Sequence, residues 1–212
     1  MTKERSKTSR TAPPDERRKQ LIDATIDCIS KHGITGTTIR MVSQTAHLSQ
    51  GLVNFHFKSK DVLLQHTLRS LAEEHRNLWA RKIASSEQSA REKIEAIVEA
   101  QFHPRVCNRK KLTVWFAFYG EASARKVYRG ITADIDAERM KTCRELCKTL
   151  NTEGHYQRSP ADTAASLEAL FDGLWLNILM YPKDFTRDTS RTQVHDYLAL
   201  CFPKHFAPER TA

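Results

Sequence analysis

Residues 38–60 read TIRMVSQTAHLSQGLVNFHFKSK. Ile39, Val42 and Ala46 recur at i, i+3 and i+7, the spacing of one helical face. A second short helix is expected from Gln50 to Phe55, with Leu52, Val53 and Phe55 apolar. His47-Leu48-Ser49 joins them. Leu48 is the apolar residue that can plug the space between the helices, and the Ser49 hydroxyl can cap an orphan N–H of the second. Helix, tight turn, helix is the geometry that lays a second helix in a DNA major groove.

The charge pattern around this stretch agrees. No Asp or Glu occurs from residue 28 to residue 60, a run that carries Lys31, Arg40, Lys58, Lys60 and three histidines. A surface that approaches phosphates excludes carboxylates, which would repel the backbone and weaken counterion release. An ordinary buried helical pair would explain the apolar spacing, but not so long an acid-free run in a chain that is 28% charged.

The whole chain carries a formal charge of +9, pointing to an anionic partner. With only seven glycines and seven prolines in 212 residues, helices are favoured. No apolar run approaches the ~18 residues of a membrane span. The basic N-terminus has no apolar stretch behind it, so no secretory leader is expected and a cytoplasmic protein with reduced thiols follows. Cys28, Cys107, Cys143, Cys147 and Cys201 are odd in number and scattered. They read as packing residues, with no metal or cofactor site implied.

Outward from the central stretch, helices follow one another without a strand signal. Residues 1–14 form a basic arm with Lys3, Arg5, Lys7 and Arg10, either solubilising or tracking the DNA backbone. Asp15–His32 carries the stripe Leu21, Ile22, Thr25, Ile26 and Ile29, ended by Gly33. Arg17, Arg18 and Lys19 sit where the helix dipole prefers acids, which suggests an external partner. Further helices are expected from Ser59 to about Ser85, Ser89 to His103, Arg109 to about Ala124, Arg125 to Thr152 before a break at Gly154, Ser159 to Met180, and Thr189 to Phe202 before Pro203. The fold class is all-α, about nine helices: a three-helix DNA-binding domain over 15–62 and a helical ligand-binding and dimerisation domain over 63–205.

The stretches RRKQLIDATIDCISKHG and TTIRMVSQTAHLSQGLVNFHFKSKDVLL resemble the TetR family of bacterial one-component repressors. The second half, in LTVWFAFYGEA (112–122) and LEALFDGLWLN (167–177), is similar to the BetI type, choline-responsive regulators of glycine betaine synthesis. The family often has Gly where this chain has His47, a residue that tolerates the left-handed conformation. The resemblance implies a homodimer built from the last two helices, operator DNA as partner and a small-molecule inducer. It places Gln50, Gly51, Leu52 and Asn54 at the bases and Thr38, Arg40, Ser49, His56 and Lys60 at phosphates. Gln and Asn pair bidentately with adenine, and Leu touches a thymine methyl. Phe55 is expected in the core. It also implies that inducer binding favours a state whose recognition helices no longer match one turn of DNA, ~34 Å, with the fourth and sixth helices carrying the coupling.

Trp115 shares a helical face with Phe118 or Tyr119, and Phe171 with Trp175; Glu121 and Asp172 lie close by in sequence. Aromatic faces with a carboxylate suit a quaternary ammonium such as choline or betaine aldehyde, which has no N–H to donate. The same stripes are equally what a helical core produces, and Asp172 and Trp175 sit where the family dimerises. No GxSxG, P-loop, HExxH or GxGxxG motif occurs, so an enzyme is not expected. A TetR-type repressor answering another ligand, or a constitutive DNA binder, shares the basic face.

Overall fold

The computed structural model describes residues 13–84, 87–122 and 124–206. The N-terminal arm lies outside these, apart from Pro13 and Pro14. Every regular element among the described residues is a helix: α1 Pro14–Gly36, α2 Ile39–Thr45, α3 Gln50–Phe57, α4 Lys60–Ile83, α5 Ala90–Gln101, α6 Arg109–Gly120, α7 Arg125–Gly154, α8 Pro160–Met180, α9 Arg187–Cys201 and α10 Pro203–Phe206. The chain divides within α4, between Thr67 and Leu68, into two compact units.

In the first unit, local chemistry sets each boundary. Gly33 takes φ 68° and interrupts α1, which resumes for a last turn to Gly36. The Thr38 hydroxyl caps α2 by accepting from the Met41 N–H at 3.2 Å, and Ser49 caps α3 from the Leu52 N–H at 3.2 Å. His47 adopts φ 55° between them. Leu21, Ala24, Cys28, Val42, Ala46, Val53, Phe57 and Leu63 form the core, with Leu48 packed against it.

One expectation is corrected here. Phe55 is 77% exposed, while Phe57 is fully buried. α3 runs two residues past Phe55, so Val53 and Phe57, at i and i+4, share the inward face and Phe55 projects outward.

In the second unit α7 packs along α8, α5 against α7 and α9, α6 against α7 and α8, and α9 against α8 and α10. Ser89 and Glu92 make a reciprocal capping box at α5, and Ser159 caps α8 just ahead of Pro160. Gly154 does not break α7. It is the last helical residue, and His155 takes the left-handed turn at φ 56°. A Cβ on residue 154 would collide with the Tyr156 ring, so glycine is required there for close approach rather than for its φ. Pro203 opens α10 rather than ending the fold, which brings Phe206 inside. All five cysteines are buried and unpaired, and burial pushes Cys107 and Cys147 up to about 12, leaving them as inert packing groups. Trp79, Trp115 and Trp175 all belong to this unit and are at most 5% exposed. The chain up to Thr67 contains neither Trp nor Tyr.

Candidate functional site

The outward face of α3 presents Gln50, Gly51, Asn54 and Phe55 to solvent, with Leu52 half-buried beneath. A Cβ on Gly51 would meet only the Ser49 Oγ, at 3.8 Å. The fold therefore leaves room for a side chain there, and the bare backbone keeps the front of the helix open to close approach. Thr38 and Arg40 are exposed at the start of α2. The Thr38 and Ser49 oxygens accept backbone N–H bonds, so each hydroxyl hydrogen remains available to a phosphate oxygen.

Other basic groups near this face are engaged internally. The Lys60 ammonium donates to the Ile34 carbonyl at 2.8 Å and the Thr35 carbonyl at 3.4 Å, closing the end of α1. Its expected phosphate role is reduced to the third N–H. Arg18 lies over the Phe57 ring at 4.8 Å and donates to the His56 carbonyl at 3.0 Å. Lys19 pairs with Asp23, and Arg17 donates to Gln20. These three cations near the start of α1, read from sequence as held for an external partner, have partners within the unit. Partial burial and then the Arg18 charge lower the His56 pKa below its usual value, which favours the neutral imidazole at neutral pH.

The second unit contains a cavity of about 500 Å³. Phe118 and Tyr119 of α6, Leu68 of α4, and Arg125, Tyr128, Arg129, Thr132, Ala133 and Asp136 of α7 line it. Phe118 meets Tyr128 edge-on, with ring centroids 4.9 Å apart. From Tyr119 a ladder of rings leads inward. Trp115 is 5.8 Å from Tyr119 and 6.3 Å from Trp175, and His75 lies 5.5 Å beyond Trp175.

Of the ligand residues expected from sequence, only Phe118 and Tyr119 reach the cavity wall. Trp115 backs Tyr119. Trp175 is buried, its indole N–H donating to the Gln101 carbonyl at 2.9 Å, which fixes it inside one protomer rather than on a dimer surface. Phe171 is core, edge-on to Phe102. Glu121 caps the end of α6 and does not line the cavity. Asp172 does not line it either, yet its charge is felt there. Burial first, then the carboxylates of Asp172 and Asp136, hold the Tyr119 phenol protonated above its usual range. The carboxylate in the wall is Asp136, which sequence reasoning missed. Arg125, Arg129, Thr132 and Asp136 recur at three or four residues along α7, so the stripe was visible, but its polar composition reads as a solvated surface.

Beneath the ladder, Arg139 and Glu168 form a bidentate ion pair, with side chains 13% and 12% exposed. His75 is buried against Arg139 and Trp175. Burial, then the Arg139 charge, lowers its pKa from 6.5 to about 3, with a hydrogen bond to Gln101 opposing. The fold thus holds His75 neutral. The unfolded chain protonates first on acidification, so the stability from His75 is complete above about 6.5 and is lost as pH falls from 6.5 towards 3. Between pH 7 and 5, urea unfolding should show the protein losing about 2 kcal/mol more than its His75→Gln variant. Equal losses in both would show that His75 titrates normally.

A helix-turn-helix unit with an exposed, acid-poor second helix, joined to a helical unit holding an aromatic cavity, defines the class of one-component DNA-binding regulators. Residues 21–67 match the family model for bacterial regulatory proteins of the TetR family, and residues 90–203 match that of the BetI-type transcriptional repressor C-terminal region. The chain belongs to the TetR family, with a BetI-type C-terminal domain, and is a DNA-binding transcriptional repressor rather than an enzyme. The HTH-type transcriptional regulator BetI of Burkholderia mallei is 33% identical over 86% of this chain and 91% of its own length. That of Paraburkholderia phymatum is 35% identical over 87% and 92%. Among solved structures, a transcriptional regulator of Pseudomonas aeruginosa PAO1 is 27% identical with a TM-score of 0.79, covering 94% of this chain and 97% of its own. A regulator of Saccharomonospora viridis, solved in complex with choline, shares the fold at 20% identity and a TM-score of 0.75, covering 87% and 96%. No described helix is long and apolar enough to cross a membrane.

Proposed function

We propose that this repressor answers a small quaternary ammonium compound, choline or betaine aldehyde, and controls genes that convert choline to glycine betaine. The observation that carries the reading is the cavity wall, which Phe118, Tyr119 and Tyr128 share with the Asp136 carboxylate. A quaternary ammonium offers charge and methyl surface without an N–H. Ring quadrupoles and a carboxylate are the groups that hold it. The Saccharomonospora neighbour, solved with choline, and the BetI relatives support the same class. Gln50, Gly51, Leu52 and Asn54 face the operator bases, while Thr38, Arg40, Ser49, His56 and the remaining Lys60 N–H hold phosphates. Phe55, exposed beside them, adds an apolar surface at the same face. Leu176 and Met180 on α8 and Leu200 on α9 are exposed apolar side chains on the two helices through which a second copy pairs.

The test is a gel-shift titration on the DNA upstream of its own gene, with and without millimolar choline. Choline should weaken binding between about 5- and 150-fold, the usual range of coupling between two sites. Asp136→Asn should blunt that release while leaving ligand-free DNA binding intact. DNA binding unmoved by choline and betaine aldehyde alike would sink the ligand assignment and leave the family untouched.

A further inference from the structure

The cavity carries charge that a simple cation leaves unused. Its lining holds one carboxylate, Asp136, and two guanidiniums, Arg125 and Arg129. Among the lining side chains the positive groups outnumber the negative by one, so a simple cation leaves guanidinium charge without a partner. The excess grows next door. Arg125 and Arg129, with Lys126, line an adjoining shallower hollow that contains no acid. The first turn of α7, where Arg125 and Lys126 lie, contains no acid either, so the positive end of the helix adds to the same field.

Several arginines of the second unit are neutralised by acidic partners. Arg69 pairs with Asp134, Arg76 with Glu138, Arg139 with Glu168 and Arg191 with Glu99. Among the described residues neither Arg125 nor Arg129 has an ion-pair partner. Two unpaired guanidiniums one turn apart on a cavity wall are a fork for carboxylate or phosphate oxygens.

We infer that the ligand of this cavity is a zwitterion, a quaternary ammonium that also bears a carboxylate or phosphate, with its ammonium at Asp136 among the rings and its anionic group on Arg125 and Arg129. The inference rests on the proposed quaternary ammonium response and narrows it. Asp136 and Arg129 are seven residues apart on α7, a helical rise of about 10 Å. The flexible arginine stem shortens that distance, so a short aliphatic linker between the two ligand charges spans the site. A repressor built this way senses a charged, oxidised or phosphorylated derivative of the amino alcohol more strongly than the alcohol itself.

The test is isothermal titration calorimetry on the full-length chain with three probes: choline, glycine betaine for the carboxylate, and phosphocholine for the phosphate. At least one zwitterion should bind about tenfold or more tightly than choline, the worth of one charge-assisted hydrogen bond. Whichever binds more tightly identifies the anion. Arg129→Gln should remove that advantage and leave choline unchanged or tighter, while Arg129→Lys retains part of it. Arg125→Gln gives the same readout if the Arg129 variants fold poorly by circular dichroism. Choline binding as tightly as both zwitterions, with the Arg→Gln variants neutral or beneficial, overturns the inference and leaves the choline response standing. Binding of none of the three, with or without Asp136→Asn, overturns both.

Discussion

Glu168→Ala should destabilise the second unit by about 3–5 kcal/mol, the cost of stranding one partner of a buried ion pair. The Arg139 guanidinium is only 13% exposed and donates to both Glu168 oxygens. Without the carboxylate it keeps its charge, because arginine does not give up its proton. Its other acidic neighbours are weaker partners: Asp136 lies 3.9 Å away and is half exposed, and Asp172 acts on it only through space. The Cys143 thiol and His75 face the same point, so the stranded charge sits among groups that do not neutralise it. The double variant Arg139→Met with Glu168→Leu should recover most of the loss, since a filled apolar site avoids desolvating either charge. Urea unfolding followed by circular dichroism reads both. A single variant within about 1 kcal/mol of the parent would mean that water reaches Arg139.

Phe57→Ala should cost the first unit about 3–5 kcal/mol, the usual loss for a fully buried phenylalanine. The ring is fully buried with Val53 and Leu63, carries the Arg18 guanidinium on its face, and meets the His66 ring edge-on at 5.5 Å. Truncation also frees Arg18, whose cation–π contact adds about 0.5–1 kcal/mol. Phe55→Ala, two residues earlier, should change stability by no more than about 0.5 kcal/mol, as exposed substitutions do. Melting curves of the two variants compare them directly. Equal losses would refute the inward register of α3.

That pair of phenylalanines shows what the sequence makes legible. Caps are local chemistry, and Ser49, Ser89 and Ser159 are readable as helix starts because the hydroxyl and the N–H it caps lie three residues apart. Burial on a two-turn helix depends on where that helix ends. With α3 read as stopping at Phe55, the Val53–Phe57 spacing had no helix to belong to. The cavity was half legible for a related reason. Phe118 and Tyr119 lie in an aromatic run that draws notice, whereas Asp136, Arg125 and Arg129 lie on a helix whose polar face looks solvated until α6 packs on it. Glu121 and Asp172 lie close in sequence to aromatics, but a cavity is lined by tertiary neighbours. Arg18 and Lys60 were read as outward charges, and only the packed structure shows the carbonyls they close.

The placement of the tryptophans gives the two units different visibility to light. Excited at the red edge of indole absorption, the chain emits only from Trp79, Trp115 and Trp175, all enclosed in the second unit. The first unit is dark, with neither Trp nor Tyr before Leu68. An emission melt therefore follows one half of the molecule and ignores the other. Loss of the Glu168 carboxylate will be bright in such a trace, and loss of the Phe57 ring will be nearly invisible, appearing only in the ellipticity of the whole chain. Overlaying the two melts turns one cuvette into separate thermometers for the half that holds the cavity and the half that holds the recognition helix.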